Sequence, residues 1–137
     1  MEKHIDHLTH QIIGCAMKVH STLGCGFQEL IYQRALALEL EKAGLLFAQE
    51  QEMEIIYLGT SIGSRRVDFF VENRVLVELK AVDELLPKHK AQAINYLEIY
   101  GIADGLLINF GGTSLEFKRL YNKRIAKKGE GQDGHDF

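Results

Sequence analysis

Apolar residues recur three or four apart at the start of the chain, at Ile5, Leu8, Ile12, Ala16, Val19 and Leu23. That spacing marks one face of a helix. Gly24 and Gly26 break the pattern, and a second helix is expected from about Phe27 to Ala43, with Gly44 placed to cap it. The period then changes. Residues from about Gln51 to Leu58 read as a strand, with Ile55, Ile56 and Tyr57 supplying β-propensity. "GTSIGS" reads as a turn cluster. Two more strands follow, near Arg65–Val71 and Arg74–Ala81. Pro87 suits the first turn of a third helix that ends at Gly101. "GLLINF" is a short apolar strand, and "GGTS" turns it into a last one, "LEFKRLY".

The element order is therefore ααβββαββ. Three successive strands imply an antiparallel meander. The helix that follows must cross to a strand parallel to the third. The expected fold class is α/β (α+β mixed), with a mixed central sheet flanked by helices. One domain is expected over residues 1–125. The tail, residues 126–137, is polar and is expected to be disordered.

The strand pair "RRVDFFVENRVLVELKAV" carries the chemistry. Side chains alternate faces along a strand, so Val67, Phe69 and Val71 should share one face, and Val75, Val77 and Leu79 another. Bringing both sets to one side of the sheet pairs Val71 with Val75 and leaves Glu72, Asn73 and Arg74 as the loop. A two-residue loop would send one set to the wrong face. In this register Asp68 falls opposite Glu78, with Lys80 on the same face. Directly opposed β-carbons lie about 4.5–5.5 Å apart, and like charges placed there repel. A hard divalent cation between the carboxylates resolves the conflict. Lys80 then has two candidate roles, orienting or deprotonating an attacking water and offsetting charge on a phosphate. The plain alternative is a solvated cluster in which Lys80 neutralises one acid.

Composition narrows the class without naming a partner. The net charge is −3, so bulk charge selects no ligand. The two cysteines, Cys15 and Cys25, are too few for a disulfide framework and fit no zinc spacing. The start "MEKHIDHLTH" is polar, and no apolar run reaches the length of a membrane span. A cytoplasmic protein with reduced thiols and no membrane partner is expected.

More residues support the strand-pair reading. "GFQELIY", Gly26 to Tyr32, fits G-x-x-E-x-x-Y. Together with "RRVDFFVENRVLVELKAV", "AQAINYL" and "GLLINFG" it resembles the GxxExxY protein family of the PD-(D/E)XK nuclease superfamily, over roughly residues 5–121. The resemblance implies a restriction-endonuclease-like core of order αβββαβ. Asp68 matches the superfamily aspartate, Glu78 and Lys80 match its (D/E)-x-K, and Glu29 matches the acid on the preceding helix. Gln92 and Tyr96 match the Q-x-x-x-Y of the following helix. By this resemblance Glu29, Asp68, Glu78 and the carbonyl of Leu79 hold Mg2+ or Mn2+. Asp68, Glu78, Lys80 and Gln92 serve catalysis. The turn Gly24-Cys25-Gly26 departs from the common G-P-G.

Tyr32, Lys88, Gln92 and Tyr96 are the candidate substrate-binding residues. Tyr32 lies three positions after Glu29, while Lys88, Gln92 and Tyr96 form a stripe at four-residue spacing. Each has an ordinary alternative, packing for the tyrosines and a polar helix face for the others. His4, His7 and His10 read as a fraying helix start, and His20 has only a weak claim on the site. Lys118, Arg119, Lys123, Arg124, Lys127 and Lys128 read as a charged edge strand or a nonspecific phosphate contact. The expectation is a metal-dependent nuclease acting on DNA or RNA, with a homo-oligomer left open. The alternative is a non-catalytic module that binds nucleic acid or protein and keeps the fold.

Overall fold

The computed structural model describes residues 2–125. The tail at 126–137, with Lys127 and Lys128, lies outside them. Helix α1 spans Glu2–Leu23 and α2 spans Glu29–Lys42. Strands β1 (Phe47–Tyr57), β2 (Thr60–Val71) and β3 (Val75–Lys80) follow, then α3 (Pro87–Tyr100), β4 (Asp104–Asn109) and β5 (Glu116–Tyr121). The expected order is observed. The sheet runs β1-β2-β3-β4-β5, antiparallel throughout except for the parallel β3/β4 pair joined through α3.

The apolar stripe of α1 is buried at Leu8, Ile12, Ala16 and Val19. The helix stops where Gly24 turns left-handed at φ +71 and donates its N–H to His20 O at 2.8 Å. Helix α2 begins two residues later than expected, because Gln28 is extended, at φ −76 and ψ 156, and serves as its N-cap. Gly44, at φ +78, ends it as expected.

The turn before β2 differs from the sequence reading. "GTSIGS" is mostly strand, since Thr60, Ser61, Gly63 and Ser64 all pair with β1. Leu58 and Gly59 alone make the turn, with φ of 52 and 76. Two successive positive φ values match the right-handed twist of a hairpin, which is why two residues suffice. The small polar residues beyond lie on a solvated ribbon whose distal half is exposed.

Helices α1 and α2 cover one face of the sheet and α3 the other. Phe69, Val71, Val75, Val77, Leu79, Leu106 and Ile108 pack with α1 and α2. Leu76, Leu107 and Leu120 pack under α3 with Ala93, Tyr96 and Leu97. One expectation fails at Val67, which joins the α3 cluster although Phe69 and Val71 face the other way. The cause is local. Gln49 pairs with Phe69 and Gln51 with Val67, but the step between them, Glu50 against Asp68, is unpaired. Glu50 sits at φ +53. Both strands change face at that step, so Phe47 packs with the α1/α2 core and Met53 with the α3 core.

Candidate active site at the β2–β3 fork

Strands β2 and β3 pair only at Phe69↔Val77, Phe70↔Leu76 and Val71↔Val75. The loop is Glu72-Asn73-Arg74, so Asp68 and Glu78 meet in the expected register. Beyond Phe69 the strands separate, and carboxylates replace the missing ladder. The Leu79 N–H donates to Asp68 Oδ2 at 2.8 Å, and the Asp68 N–H donates to Glu78 Oε1 at 3.2 Å. In an antiparallel ladder a residue exchanges its N–H and C=O with the same partner strand. The Leu79 carbonyl therefore belongs to the fork side, whereas the Lys80 carbonyl accepts from Phe110 N on the β4 side at 2.9 Å.

Glu78 is 8% exposed. Burial first, and the neighbouring Asp68 charge second, push its carboxyl from 4.5 up to about 8, against the opposing pull of Lys80 and the Asp68 N–H bond. Near neutrality Glu78 thus holds its proton beside Asp68. Glu29, the first residue of α2, feels the same group. Its carboxyl is raised by burial, then by Asp68, and lowered by Lys80. The residue as a whole is exposed, yet its carboxyl lies near enough to Asp68 and Lys80 for both to act on it. Lys80 is half-buried. It forms none of the ion pairs among the described residues, which are Arg119–Asp6 at 3.4 Å and Arg124–Glu98 at 3.7 Å. Glu29, Asp68, Glu78, Leu79 and Lys80 are therefore brought together.

The first helix turn explains how. Tyr32 is fully buried and stacked on Phe110, with ring centroids 4.7 Å apart. Its hydroxyl donates to Gly24 O at 2.6 Å and accepts from Phe27 N at 3.2 Å. It clamps the Gly24-Cys25-Gly26 turn, and so aims the start of α2 and Glu29 at the sheet. The substrate-binding role expected for Tyr32 is corrected: its hydroxyl is already committed and its ring lies in the core.

Two positioning residues were not picked out in the sequence. Gln33, 4% exposed, donates from Nε2 to Asp68 Oδ1 at 2.8 Å and accepts from Gln49 at 3.0 Å. Its spacing of four from Glu29 was the available signal. Asn109, fully buried, accepts from Val82 N and donates to Val82 O, both at 2.9 Å. This clamp imitates a strand pair just past Lys80 and holds the end of β3 against β4. Gly111 allows the approach, since a β-carbon there would meet Val82 O at 2.2 Å.

On the α3 side, Tyr96 is 6% exposed and near enough to Glu78 for that carboxylate to help raise its phenol. Burial is the larger cause, and Arg65 pulls the other way. Gln92 and Lys88 are exposed, one and two turns earlier on the same stripe. His20 is engaged elsewhere, its Nε2 2.9 Å from Gly112 O. Lys118 and Arg119 lie on the β5 edge strand, two strands from β3.

Among the described residues no group of three or more His, Cys, Asp or Glu side chains converges as a metal cage. The fork still fits a hard cation. Mg2+ is commonly held by one or two carboxylates and keeps several waters. Asp68 and Glu78 supply two adjacent carboxylates that no cationic side chain neutralises directly. Glu29 stands further out.

A mixed five-stranded sheet, helices on both faces and an acidic fork with an adjacent lysine define a restriction-endonuclease-like chain. A family model of the PD-(D/E)XK nuclease superfamily matches residues 6–120, and the chain belongs to that superfamily. The chain is similar to the crystal structure of SSO0001, at 20% identity and a TM-score of 0.54. The match covers 80% of this chain and 61% of that one, so this chain spans about three-fifths of the other's length. That likeness shows the fold. No curated protein matches the chain. No helix among the described residues is long and apolar enough to cross a membrane.

Proposed function

We propose that the chain is a nuclease that hydrolyses phosphodiester bonds of DNA or RNA with Mg2+ or Mn2+. The observation that carries this reading is the fork itself. A buried Glu78 lies against a half-buried Asp68 where the ladder between β2 and β3 stops, and their proximity raises the Glu78 carboxyl. A cation replacing the Glu78 proton would be held by Asp68, Glu78 and the Leu79 carbonyl, with Glu29 at the rim. It supplies Lewis acidity and charge neutralisation at the phosphoryl group. Lys80 lies close enough to Glu29 and Glu78 to perturb both while paired to neither. It is free to orient the attacking water or to stabilise charge on the phosphate. Gln92 and Lys88 border the approach along α3.

Within the superfamily, Gly26, Glu29 and Tyr32 favour the GxxExxY proteins, and a single cytoplasmic domain over residues 1–125 suits that reading. The test is calorimetric titration with each cation, alongside cleavage of single- and double-stranded DNA and RNA. Saturable cation binding and cation-dependent cleavage are expected. Absence of binding at millimolar cation would refute the proposal. Binding without cleavage of any substrate would turn the reading toward a non-catalytic module.

A further inference from the structure

Arg65 lies on β2, three residues before Asp68, and faces Met53 across the ribbon. Its guanidinium carbon sits 5.2 Å from the centroid of the Tyr96 ring. An exposed arginine ordinarily samples many rotamers, and stacking on an aromatic face restricts it. The platform here is firm. Tyr96 is buried in the α3 core, and Tyr100 lies beside it with ring centroids 6.4 Å apart. The Tyr100 hydroxyl donates to Met53 O at 3.1 Å, which returns to the cross-strand partner of Arg65. Helix α3 and the ribbon are thus tied together beneath the guanidinium.

Arg65 is exposed and forms no ion pair among the described residues. The ribbon does carry acids, yet Glu52 accepts from Ser64 Oγ at 2.7 Å instead. One face of the guanidinium is engaged by Tyr96, whose hydroxyl lies within its reach, and its remaining donors are free for a bidentate anion, the geometry that matches a phosphate. At about 3.3 Å per residue, three residues of strand place Arg65 about 10 Å from Asp68. That suits a phosphate beside the one cleaved. Lys88 and Gln92 continue the stripe from Tyr96 along α3, so exposed polar groups border the fork on that side.

We infer that Arg65 binds a backbone phosphate of the nucleic-acid substrate next to the scissile one, and that Tyr96 is the positioning residue that holds it. This inference rests on the nuclease reading above. It identifies the substrate contact as sequence-independent phosphate recognition on the α3 side of the fork.

The test combines steady-state cleavage with binding titrations over a range of salt. Short labelled strands and duplexes of DNA and RNA serve as probes, and the binding arm uses the Lys80→Ala background so that substrate persists. Arg65→Ala should raise KM about tenfold, move kcat less than threefold, and reduce the salt slope of binding by about one. Tyr96→Leu should share the defect, and Tyr96→Phe, which keeps the ring and loses only the hydroxyl that Arg65 reaches, should recover most of it. Cation affinity should hold in all three. A purely structural Tyr96 would lower the melting temperature and leave the salt slope alone. If the parent cleaves and Arg65→Ala keeps its KM and salt slope, this inference falls and the nuclease reading stands. If the parent shows neither cation-dependent cleavage nor salt-dependent binding, the nuclease reading falls and takes the inference with it.

Discussion

Glu78→Gln should make the cation-free protein more stable while removing cation binding. Glu78 is raised from 4.5 to about 8, chiefly by burial and then by Asp68. A carboxyl raised in the fold favours folding below its unfolded pKa, and that advantage is lost as pH climbs through the folded pKa. At pH 7 the unfolded chain has released the proton and the folded chain still holds it. The gap of about 2.5 pH units, at 1.36 kcal/mol per unit, costs about 3 kcal/mol. Glutamine imitates the protonated acid. Its oxygen can accept the Asp68 N–H, and its amide can donate toward the Asp68 carboxylate as the acid proton does. Its stability is independent of this titration. Melting in chelator should show a gain on the order of 10 °C at pH 7. The gain should vanish below pH 4.5 and level off above about pH 8. In the parent, cation affinity should rise as pH approaches 8, because the cation needs the ionised form and displaces the proton. A gain of equal size at pH 5 and pH 9, or a loss at pH 7, would refute the assignment of a buried protonated acid.

Lys80→Ala should leave cation affinity unchanged or slightly higher in calorimetry, while cleavage falls by about 10²–10³, the usual loss when one charge-stabilising group is removed; cleavage at the parental rate would refute its catalytic role. Gln33→Ala should weaken cation binding about tenfold, since losing a group that orients a ligand typically costs 10–100-fold; affinity equal to the parent's would show that Leu79 N–H alone orients Asp68.

The register at the fork was legible because two apolar alternations, Val67 to Val71 and Val75 to Leu79, must face one core. An odd-length loop is needed to satisfy both, and the three-residue one brings Asp68 to Glu78. The same logic misplaced Val67, because alternation presumes a continuous ladder. The interruption depends on Glu50 adopting φ +53, which its residue type does not announce. Leu58 in the β1–β2 turn was missed for the same reason. Tyr32 was visible as part of a motif but not by role. A tyrosine three positions after a candidate metal-binding acid reads equally as a site contact or as packing until Gly24 O is found 2.6 Å away. Asn109 was hidden inside the apolar run "GLLINF". One polar residue there had to find buried partners, and it finds them in backbone that is distant in sequence.

The two carboxylates look alike in sequence and are not interchangeable. The contrast turns on what each oxygen accepts. Asp68 Oδ1 takes the Gln33 amide, Oδ2 takes the Leu79 N–H, and a protonated Glu78 would donate to the same carboxylate. Every neighbour is a donor. Asp68→Asn places an NH2 group against at least one of them. Rotating Gln33 to present its oxygen would spend the bond from Gln49. One buried donor is then left without a partner, at a cost of about 1–3 kcal/mol. Asp68→Asn should therefore destabilise the cation-free fold at pH 7, where Glu78→Gln stabilises it. It should also bring the Glu78 carboxyl below about 8, because the second cause of its elevation is gone. Urea unfolding of both variants in chelator, with NMR titration of the Glu78 side chain, checks the pair. Equal signs for the two substitutions would mean that the carboxylates share one environment. The fork would then be a symmetric acid pair, not one proton holder seated beside one charge.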